Sequence, residues 1–424
     1  MTDIDKKKAD EFRELADEFY KQGNFYEAVE YYEKCVELEP NAAFMHNRLG
    51  HVYGQIDKYQ YLDEQIKCHQ KALELEPDNA NAIRNLAFAF ARLGEDQKAV
   101  EYYQKLFELE HIPDDYCSYG CLKIKMGDFE EGWEYYKYRF SKHFGATFYP
   151  EFDKPEWEGQ EISDKTLLVY YEQGFGDSIQ FFRYLEQLKP LTKKIIFKVQ
   201  DQLVDLLKNS SSDIEIVKES ESFSDLDFDY HISLMNILPA LKAQIDNIPL
   251  SQGYIKADEE KIKVYKEKFF NNDFIKIGIS YNGAIIGNNR RNIPLEKFYP
   301  LTKLENVKVY SFQKDVSKNL LEKIPPEVEI INLGTTFKDF SDTAAAMANL
   351  DFFVTSDNSV FNLAAAMGIK TFVLLSKDAE WRWFSDDEKT SWYDSVKIFK
   401  KQEELEDWSS QMQRVIEAIK QGEA

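Results

Sequence analysis

The stretch "LLVYYEQGFGDSIQFFRYLEQL" (residues 167–188) marks a change in the character of the chain. Its first five residues form the apolar run of a buried strand, and apolar residues return at helical spacing from Ile179 to Leu185. Between them, Gly174 and Gly176 permit a tight turn and a close backbone approach. The stretch therefore predicts strand, turn and helix, with Asp177 at or near the first turn of the helix.

Downstream of about Lys165, short β-branched or aromatic runs alternate with helical segments, which is typical of parallel α/β sheets. The predicted strands are Thr166–Tyr171, Lys194–Val199, Ile214–Val217, Ile275–Ser280, Val307–Ser311, Glu329–Asn332, Phe352–Thr355 and Thr371–Leu375. The charged helical segment Ala257–Asn272 divides them into two groups. We therefore expect two Rossmann-like halves with a cleft between them, where ligands bind beyond the C-terminal ends of the strands.

Upstream, small residues, aromatic residues and a helix-ending proline recur at the spacing of tetratricopeptide units over about residues 9–142. Pro40 and Pro77 lie 37 residues apart, about three more than the usual period. This difference predicts an insertion around Ile56–Tyr61, and the fourth unit is degenerate. Such arrays present an extended concave surface to a peptide or protein, although the array could instead only brace the rest of the molecule.

The expected fold class is an N-terminal tetratricopeptide helical repeat followed by a pair of Rossmann-like domains. We expect the repeat domain over residues 1–145, the first Rossmann-like half over 146–258 and the second over 259–424. A last helix, Glu403–Lys420, is expected to close the second half and to pack back across the cleft.

Composition excludes several classes of protein. The formal net charge of −22 repels nucleic acid. Because the N-terminus lacks a signal-like apolar core and the chain lacks a membrane-spanning apolar run, we expect a cytoplasmic protein. The four cysteines are predicted to be buried free thiols, since they complete no zinc pattern: Cys35, Cys68, Cys117 and Cys121.

Two polar loops of the second half are suited to phosphate. The turn that contains Asp357, Asn358 and Ser359 precedes a helix, so its hydroxyl and N–H groups suit a diphosphate. Arg290 and Arg291 could neutralise phosphate charge, or could be a solvated basic pair. Gly-x-Gly-Asp is a weak pattern by itself, and an aspartate there is often a helix cap.

Five ordered motifs resemble those of glycosyltransferases of the GT-B fold. The motifs are "EQGFGDSIQFFRYL" (172–185), "FDYHISLMNILPA" (228–240), "GISYNG" (278–283) with "RRNIPLEKF" (290–298), "DFSDTAAAMANLDFFVTSDNSVFNLAAAMG" (339–368), and "EWRWF" (380–384) with "SWYDSVKIFKK" (391–401). The chain resembles the tetratricopeptide-containing relatives of the lipopolysaccharide heptosyltransferases (glycosyltransferase family nine) and, more remotely, protein O-linked N-acetylglucosamine transferase. The resemblance extends over nearly the whole chain.

This resemblance implies transfer of a sugar from a nucleoside diphosphate sugar, without a metal or cofactor. It implies that Asp177 is the general base, that Asp357, Asn358 and Ser359 bind the diphosphate, and that Arg290 and Arg291 form the basic loop. The other residues expected to bind substrate are Gln173, Gly174, Gly176, Tyr281, Asn282, Gln313, Lys314 and Asn362.

The chain departs from the family pattern at two of these positions. Asn362 replaces the usual histidine and Tyr281 the usual tryptophan, so that donor contacts could be altered. The spelling Asp-x-Asp at Asp225, Asp227 and Asp229 matches metal-dependent glycosyltransferases, but it aligns with a structural segment.

The function expected from these observations is glycosylation of a protein that the repeats recruit. Two alternatives remain open at this stage. One is a transferase that acts on a lipid-linked or polysaccharide acceptor, and the other is a non-catalytic tetratricopeptide scaffold.

Overall fold

A computed structural model describes residues 3–57, 59–140, 150–283, 291–314, 324–384, 388–403 and 405–422. The chain divides into two compact units, Met1–Phe144 and Gly145–Ala424. The first unit is a helical repeat and the second contains two parallel sheets, so the predicted fold class is confirmed.

The described part of the first unit consists of antiparallel helix pairs. The helices are α1 Asp3–Lys21, α2 Phe25–Leu38, α3 Ala43–Ile56, α4 Leu62–Leu75, α5 Ala80–Leu93, α6 Asp96–Phe107, α7 Pro113–Lys125 and α8 Phe129–Tyr136. Because α3 ends at Ile56 and α4 begins only at Leu62, the second pair has a longer turn than the first, which runs from Lys21 to Phe25. The predicted insertion is therefore confirmed.

Small residues set the helix separation in the last pair. A methyl group on Gly120 of α7 would lie 2.5 Å from the backbone nitrogen of Tyr136 and 2.9 Å from the carbonyl oxygen of Gly132, both in α8. Neither contact leaves room for a side chain, so the backbones of α7 and α8 touch at this point. The degenerate fourth repeat thus retains the close packing of a regular one.

The cysteines of this unit are free thiols, as predicted. Cys35 and Cys117 are buried, whereas Cys68 and Cys121 are half-buried. Burial raises the pKa of the Cys35 and Cys68 thiols to about 11, so both remain protonated at neutral pH.

The first sheet of the second unit contains four parallel strands in the order β3-β2-β1-β4. Its elements are β1 Ile162–Tyr170, α9 Phe175–Phe182, α10 Leu185–Leu188, β2 Thr192–Val199, α11 Val204–Ser210, β3 Glu215–Lys218, β4 Tyr230–Ser233 and α12 Ile237–Ala240. Asp229 accepts a hydrogen bond from the Thr166 N–H (2.8 Å), so it ties the start of β4 to β1, in agreement with a structural role.

Within the described ranges, the second sheet contains six parallel strands in the order β10-β9-β8-β5-β6-β7. Its elements are α13 Glu259–Tyr265, β5 Ile275–Ser280, β6 Val307–Ser311, β7 Ile330–Asn332, α14 Phe340–Met347, β8 Phe352–Ser356, α15 Ser359–Ala366, β9 Thr371–Leu375, β10 Val396–Lys400 and α16 Ser409–Lys420. Two separate sheets in one unit agree with a GT-B-like arrangement.

The eight predicted strands are present, but sequence analysis missed β4 and β10. Both are edge strands, of four and five residues. The β4 segment, Tyr-His-Ile-Ser, has a single aliphatic residue, whereas the β10 segment, Val-Lys-Ile-Phe-Lys, has an apolar strand pattern that sequence analysis overlooked. The expected position of the last helix also differs. The apolar face of α16, which includes Met412, Val415 and Ile416, packs in the core of the second sheet rather than back across the cleft.

None of the helices in the described ranges combines the length and apolar character that a membrane crossing requires.

We expect Gly120→Ala to loosen the α7–α8 pair, because the added methyl group meets backbone that moves only if the helices separate. Amide exchange in α7 and α8 should become roughly tenfold faster or more, as measured by hydrogen exchange and mass spectrometry. Gly54→Ala in α3 is the matched control, because the three atoms nearest to its methyl group belong to the Gln65 side chain, the first at 3.0 Å, and not to backbone. Unchanged exchange in Gly120→Ala would contradict the close packing.

Candidate active site between the two sheets

The strand-to-helix turn of the first sheet places Asp177 in the first turn of α9. Gly174 is the N-terminal cap residue and Asp177 is the third helical residue. The Asp177 carboxylate reaches back and accepts a hydrogen bond from the Gly174 N–H (Oδ2, 3.0 Å), which satisfies one of the free donors of the helix end. Asp177 therefore caps the helix, as the conservative interpretation of the sequence suggested, and its other oxygen faces the second sheet.

That other oxygen, Oδ1, forms an ion pair with Nη2 of Arg382. Both side chains are largely buried, with 18% of Asp177 and 15% of Arg382 exposed. Burial raises the pKa of Asp177, and the neighbouring Arg382 opposes that rise. The predicted base is thus held by a guanidinium group that comes from the other half of the unit.

The corresponding turn of the second sheet lies between β8 and α15. Asn358 is the cap residue of α15: its Oδ1 accepts from the Phe361 N–H (2.9 Å), and its Nδ2 donates to Ser280 and Thr355 (both 3.2 Å). The carboxamide of Asn358 is therefore occupied in holding the turn. Ser359 is the first residue of the helix.

Asp357 points toward charged and aromatic neighbours. The indole N–H of Trp383 donates to Asp357 Oδ2 (3.1 Å), and Nη1 of Arg291 lies 3.6 Å from the same oxygen. Burial and the charge of Glu380 raise the pKa of Asp357 to about 6, against the opposing effect of Arg291. Because a carboxylate repels a diphosphate, Asp357 acts here as a partner that orients Arg291 and Trp383.

Glu380 links the two arginines. Its Oε1 lies 3.0 Å from Nη1 of Arg291, and its Oε2 pairs with Nη1 of Arg382. The described residues of this network thus comprise three carboxylates, of Asp177, Asp357 and Glu380, and two guanidinium groups. The excess of negative charge and the burial explain why the pKa values of Asp177 and Asp357 are both raised.

The helices α9 and α15 approach each other at their N-termini. A methyl group on Gly176 would lie 2.9 Å from Nδ2 of Asn362 and 3.6 Å from Cα of Ser359. Two helix N-termini, each with partial positive charge, therefore meet beside Arg291 and Arg382. This combination is suited to an anion.

Asn362, which stands where the glycosyltransferases that the sequence resembles usually have histidine, is fixed at this contact. Its Oδ1 accepts a hydrogen bond from the hydroxyl of Tyr393 (3.1 Å), and its Nδ2 donates to the carbonyl of Asn358 (3.4 Å). A small cavity beside it is lined by residues of both halves, among them Gln180, Asp357, Arg382 and Trp392.

Three further residues predicted to bind substrate form hydrogen bonds, one of them within this network and two outside it. Gln173 accepts from Nη2 of Arg382 (3.4 Å) and belongs to it. Gln313 accepts from the Asn282 N–H (3.0 Å) and so fixes the end of β5. Lys314 donates to the carbonyl of Lys338 (3.2 Å) on the surface.

Tyr281, which was expected to bind substrate, lies instead in the core of the second sheet. Its side chain is 2% exposed and packs on Phe298 in the core of the second sheet. Arg290 lies outside the described residues, so only Arg291 of the basic pair is placed.

Sequence reasoning assigned no role to Glu380, Arg382 or Trp383. The three belong to "EWRWF", in which an acidic and a basic residue alternate with tryptophans. Oppositely charged residues embedded among aromatics signal a buried ion pair, because isolated charges are rarely buried.

Arg183 was also missed, and it joins the two halves away from the network. The side chain is fully buried at the end of α9. Its Nη1 donates to the carbonyl of Trp392 (2.6 Å) and its Nη2 to the hydroxyl of Tyr254 (3.1 Å). The guanidinium also lies 4.5 Å from the ring centres of Tyr254 and Tyr393, so carbonyl oxygens and aromatic faces replace the water that it loses.

Within the described ranges, no group of three histidine, cysteine, aspartate or glutamate side chains is placed to hold a metal ion.

Comparisons with known proteins find similarity at one repeat and along nearly the whole chain. Residues 9–42 match the tetratricopeptide repeat family. The chain is 25% identical over 427 residues to Protein FlbA of Caulobacter vibrioides, an alignment that covers 93% of this chain and 70% of FlbA. It is 27% identical over 106 residues to Heat shock protein STI1 of Saccharomyces cerevisiae, with 24% of this chain and 18% of that protein covered.

Among solved structures, the glycosyl transferase family 9 protein from Veillonella parvula aligns with a TM-score of 0.49 and 14% sequence identity. The alignment covers 62% of this chain and 98% of that protein. The similarity to FlbA extends over nearly the whole chain, whereas the similarity to STI1 covers about a quarter of it.

The raised pKa of Asp357 makes the stability of the fold depend on pH. An aspartate in an unfolded chain titrates near about 3.9, whereas Asp357 titrates at about 6 in the folded protein. Between these values the folded state binds more protons, so the contribution of Asp357 to stability is complete below about pH 4 and is lost as the pH rises through about 6. The loss at neutral pH is roughly 2–3 kcal/mol.

Asp357→Asn removes this titration. The free energy of unfolding of the variant should therefore improve relative to the parent as the pH rises from about 4 to about 7. Urea unfolding of both proteins across this range measures the difference. A difference that stays constant with pH would show that Asp357 is not perturbed.

Proposed function

We propose that this chain is a metal-independent glycosyltransferase that transfers a sugar from a nucleoside diphosphate sugar to a protein acceptor recruited by the repeats. The proposal is supported chiefly by the meeting of the Asp177 carboxylate, from the first sheet, with Arg382 and the start of α15, from the second. A proton acceptor and groups that attract an anion lie side by side there. Deprotonation of an acceptor uses the first kind of group and departure of a diphosphate uses the second.

In the proposed reaction, the carboxylate and the positively charged groups have separate roles. Asp177 removes the proton from the acceptor nucleophile as that atom forms its bond to the anomeric carbon. The bond from the anomeric carbon to the diphosphate oxygen breaks, and the nucleoside diphosphate leaves with the electron pair. Arg291, Arg382 and the N-terminus of α15 stabilise the charge of the leaving group.

The repeats supply the reason to propose a protein acceptor. Stacked helix pairs expose a long surface whose side chains are free to contact a peptide, and binding of polypeptides is a common use of such arrays. Recruitment by a separate binding surface raises the effective concentration of the acceptor at the catalytic site.

Donor binding can be tested first. We expect at least one of UDP, GDP, CDP, dTDP and their sugars to raise the melting temperature, because a ligand of the folded state stabilises it. A labelled form of the donor so identified is then incubated with the enzyme and a cell extract. Label in the protein fraction supports the proposal, label in the solvent-extracted lipid or in polysaccharide supports the other acceptor classes, and absence of both binding and transfer favours a non-catalytic scaffold.

Asp177→Asn should strongly reduce transfer while the helix cap is kept, because the asparagine oxygen can still accept the Gly174 N–H. The variant loses the ion pair with Arg382, so some loss of stability is expected, and a cooperative thermal transition checks that the protein is folded at the assay temperature. Transfer should fall by roughly 10²–10⁴-fold, because the proton acceptor is lost. Transfer rates of the variant and the parent are measured with the identified donor. Retained transfer in the variant would exclude the general-base role of Asp177.

Arg291→Ala should weaken donor binding. Arg291 is 46% exposed and lies between Glu380 and Asp357 at the start of α15, so its loss removes one charged donor to the diphosphate. Affinity for the nucleoside diphosphate, measured by calorimetry, should fall by roughly tenfold or more. Lys194→Gln is the matched control, because Lys194 pairs with Glu215 near the N-terminal ends of β2 and β3, at the opposite edge of the first sheet.

A further inference from the structure

Arg382 holds two carboxylates at once. Its Nη2 pairs with Asp177 on the first half, and its Nη1 pairs with Glu380 on its own segment. The guanidinium lies 4.3 Å from the ring centre of Trp381, and the backbone carbonyl of Arg382 accepts from the indole N–H of Trp392 (2.7 Å). Backbone and aromatic contacts therefore position the residue independently of the two ion pairs.

The guanidinium of Arg382 and that of Arg291 converge on the same carboxylate. Glu380 directs one oxygen to each of them. A carboxylate held by two arginines occupies the place that a diphosphate oxygen would take, since both anions accept from the same fork of N–H groups.

We infer that Arg382 is shared between the base and the donor: it holds Asp177 in the structure described here, and it moves to the donor diphosphate when the donor binds, which releases Asp177. The inference rests on the proposed function and adds to it that Arg382 contacts the base before it contacts the donor. Donor binding would thereby switch on the base, so that the acceptor is deprotonated only when a sugar is present to receive it.

The direction of the exchange follows from charge. A diphosphate carries more negative charge than a single carboxylate and offers several oxygens to the two arginines, so it competes well with Asp177 and Glu380 for them. Once Arg382 leaves, Asp177 keeps its burial and its negative neighbours Glu380 and Glu172. A carboxylate in such surroundings binds a proton more tightly and is a stronger base.

Removal of the competing carboxylates provides a readout that structural damage would not produce. In Glu380→Gln and in Asp177→Asn, the arginines lose a competitor, so affinity for inorganic pyrophosphate should rise, by roughly three- to tenfold. In Arg382→Gln, the affinity should fall by roughly tenfold or more, and Arg382→Lys should be intermediate because it keeps the charge without the fork. Calorimetry with pyrophosphate, and with UDP, GDP, CDP and dTDP each alone, measures all four variants against the parent.

Lys194→Gln and Glu215→Gln are matched controls. They remove one charge of each sign from an ion pair at the far edge of the first sheet, so they report the effect of net charge alone. Their affinities should stay near that of the parent.

The exchange is supported if affinity for pyrophosphate rises more in Glu380→Gln and Asp177→Asn than in Glu215→Gln. Affinity in Arg382→Gln should fall. If Arg382→Gln fails to fold, the two carboxylate variants decide. Parental affinity in all variants, equal rises in Glu215→Gln, or no binding of any probe would overturn the inference. Sugar transfer by the parent without these shifts would overturn it while the proposed function stands.

Discussion

The contact between α9 and α15 is the constraint on which the candidate site depends. Parallel sheets gather the C-terminal ends of their strands at one edge, but two sheets form one site only if those edges meet. At Gly176 the absence of a side chain lets the N-terminus of α9 approach Ser359 and Asn362 of α15. The buried guanidinium of Arg183 adds a second link to the backbone of Trp392.

The charges of the site follow from that contact. The chain is strongly acidic, and the arginines that reach the two helix ends are engaged by carboxylates of both halves. Removal from water and the excess of negative charge raise the proton affinity of Asp177 and Asp357. Burial makes an ionised carboxylate costly to the fold, and in the proposed reaction the same burial would strengthen Asp177 as a base.

Tyr281 and Asn362, which differ from the pattern of the glycosyltransferases that the sequence resembles, are accommodated in different ways. Tyr281 packs against Phe298 in the core, and so contributes to the second sheet through burial. Asn362 stays at the contact between the helices, where Tyr393 and the backbone of Asn358 occupy its carboxamide. The asparagine at this position is thus held by hydrogen bonds to other residues of the second half.

The sequence by itself determined the elements and their order, because each depends on local patterns: small residues at repeat spacing, apolar runs of strand length, and the glycines before Asp177. It also indicated Asp177 and the turn before α15, since each follows a strand at the edge where ligands bind. The short edge strands β4 and β10 escaped it. Only the tertiary structure decided that Arg382 faces Asp177, that Glu380 joins two arginines and that α16 packs on the second sheet. These contacts link residues far apart in the chain, and no local pattern encodes which distant side chain fills a given space or balances a given charge.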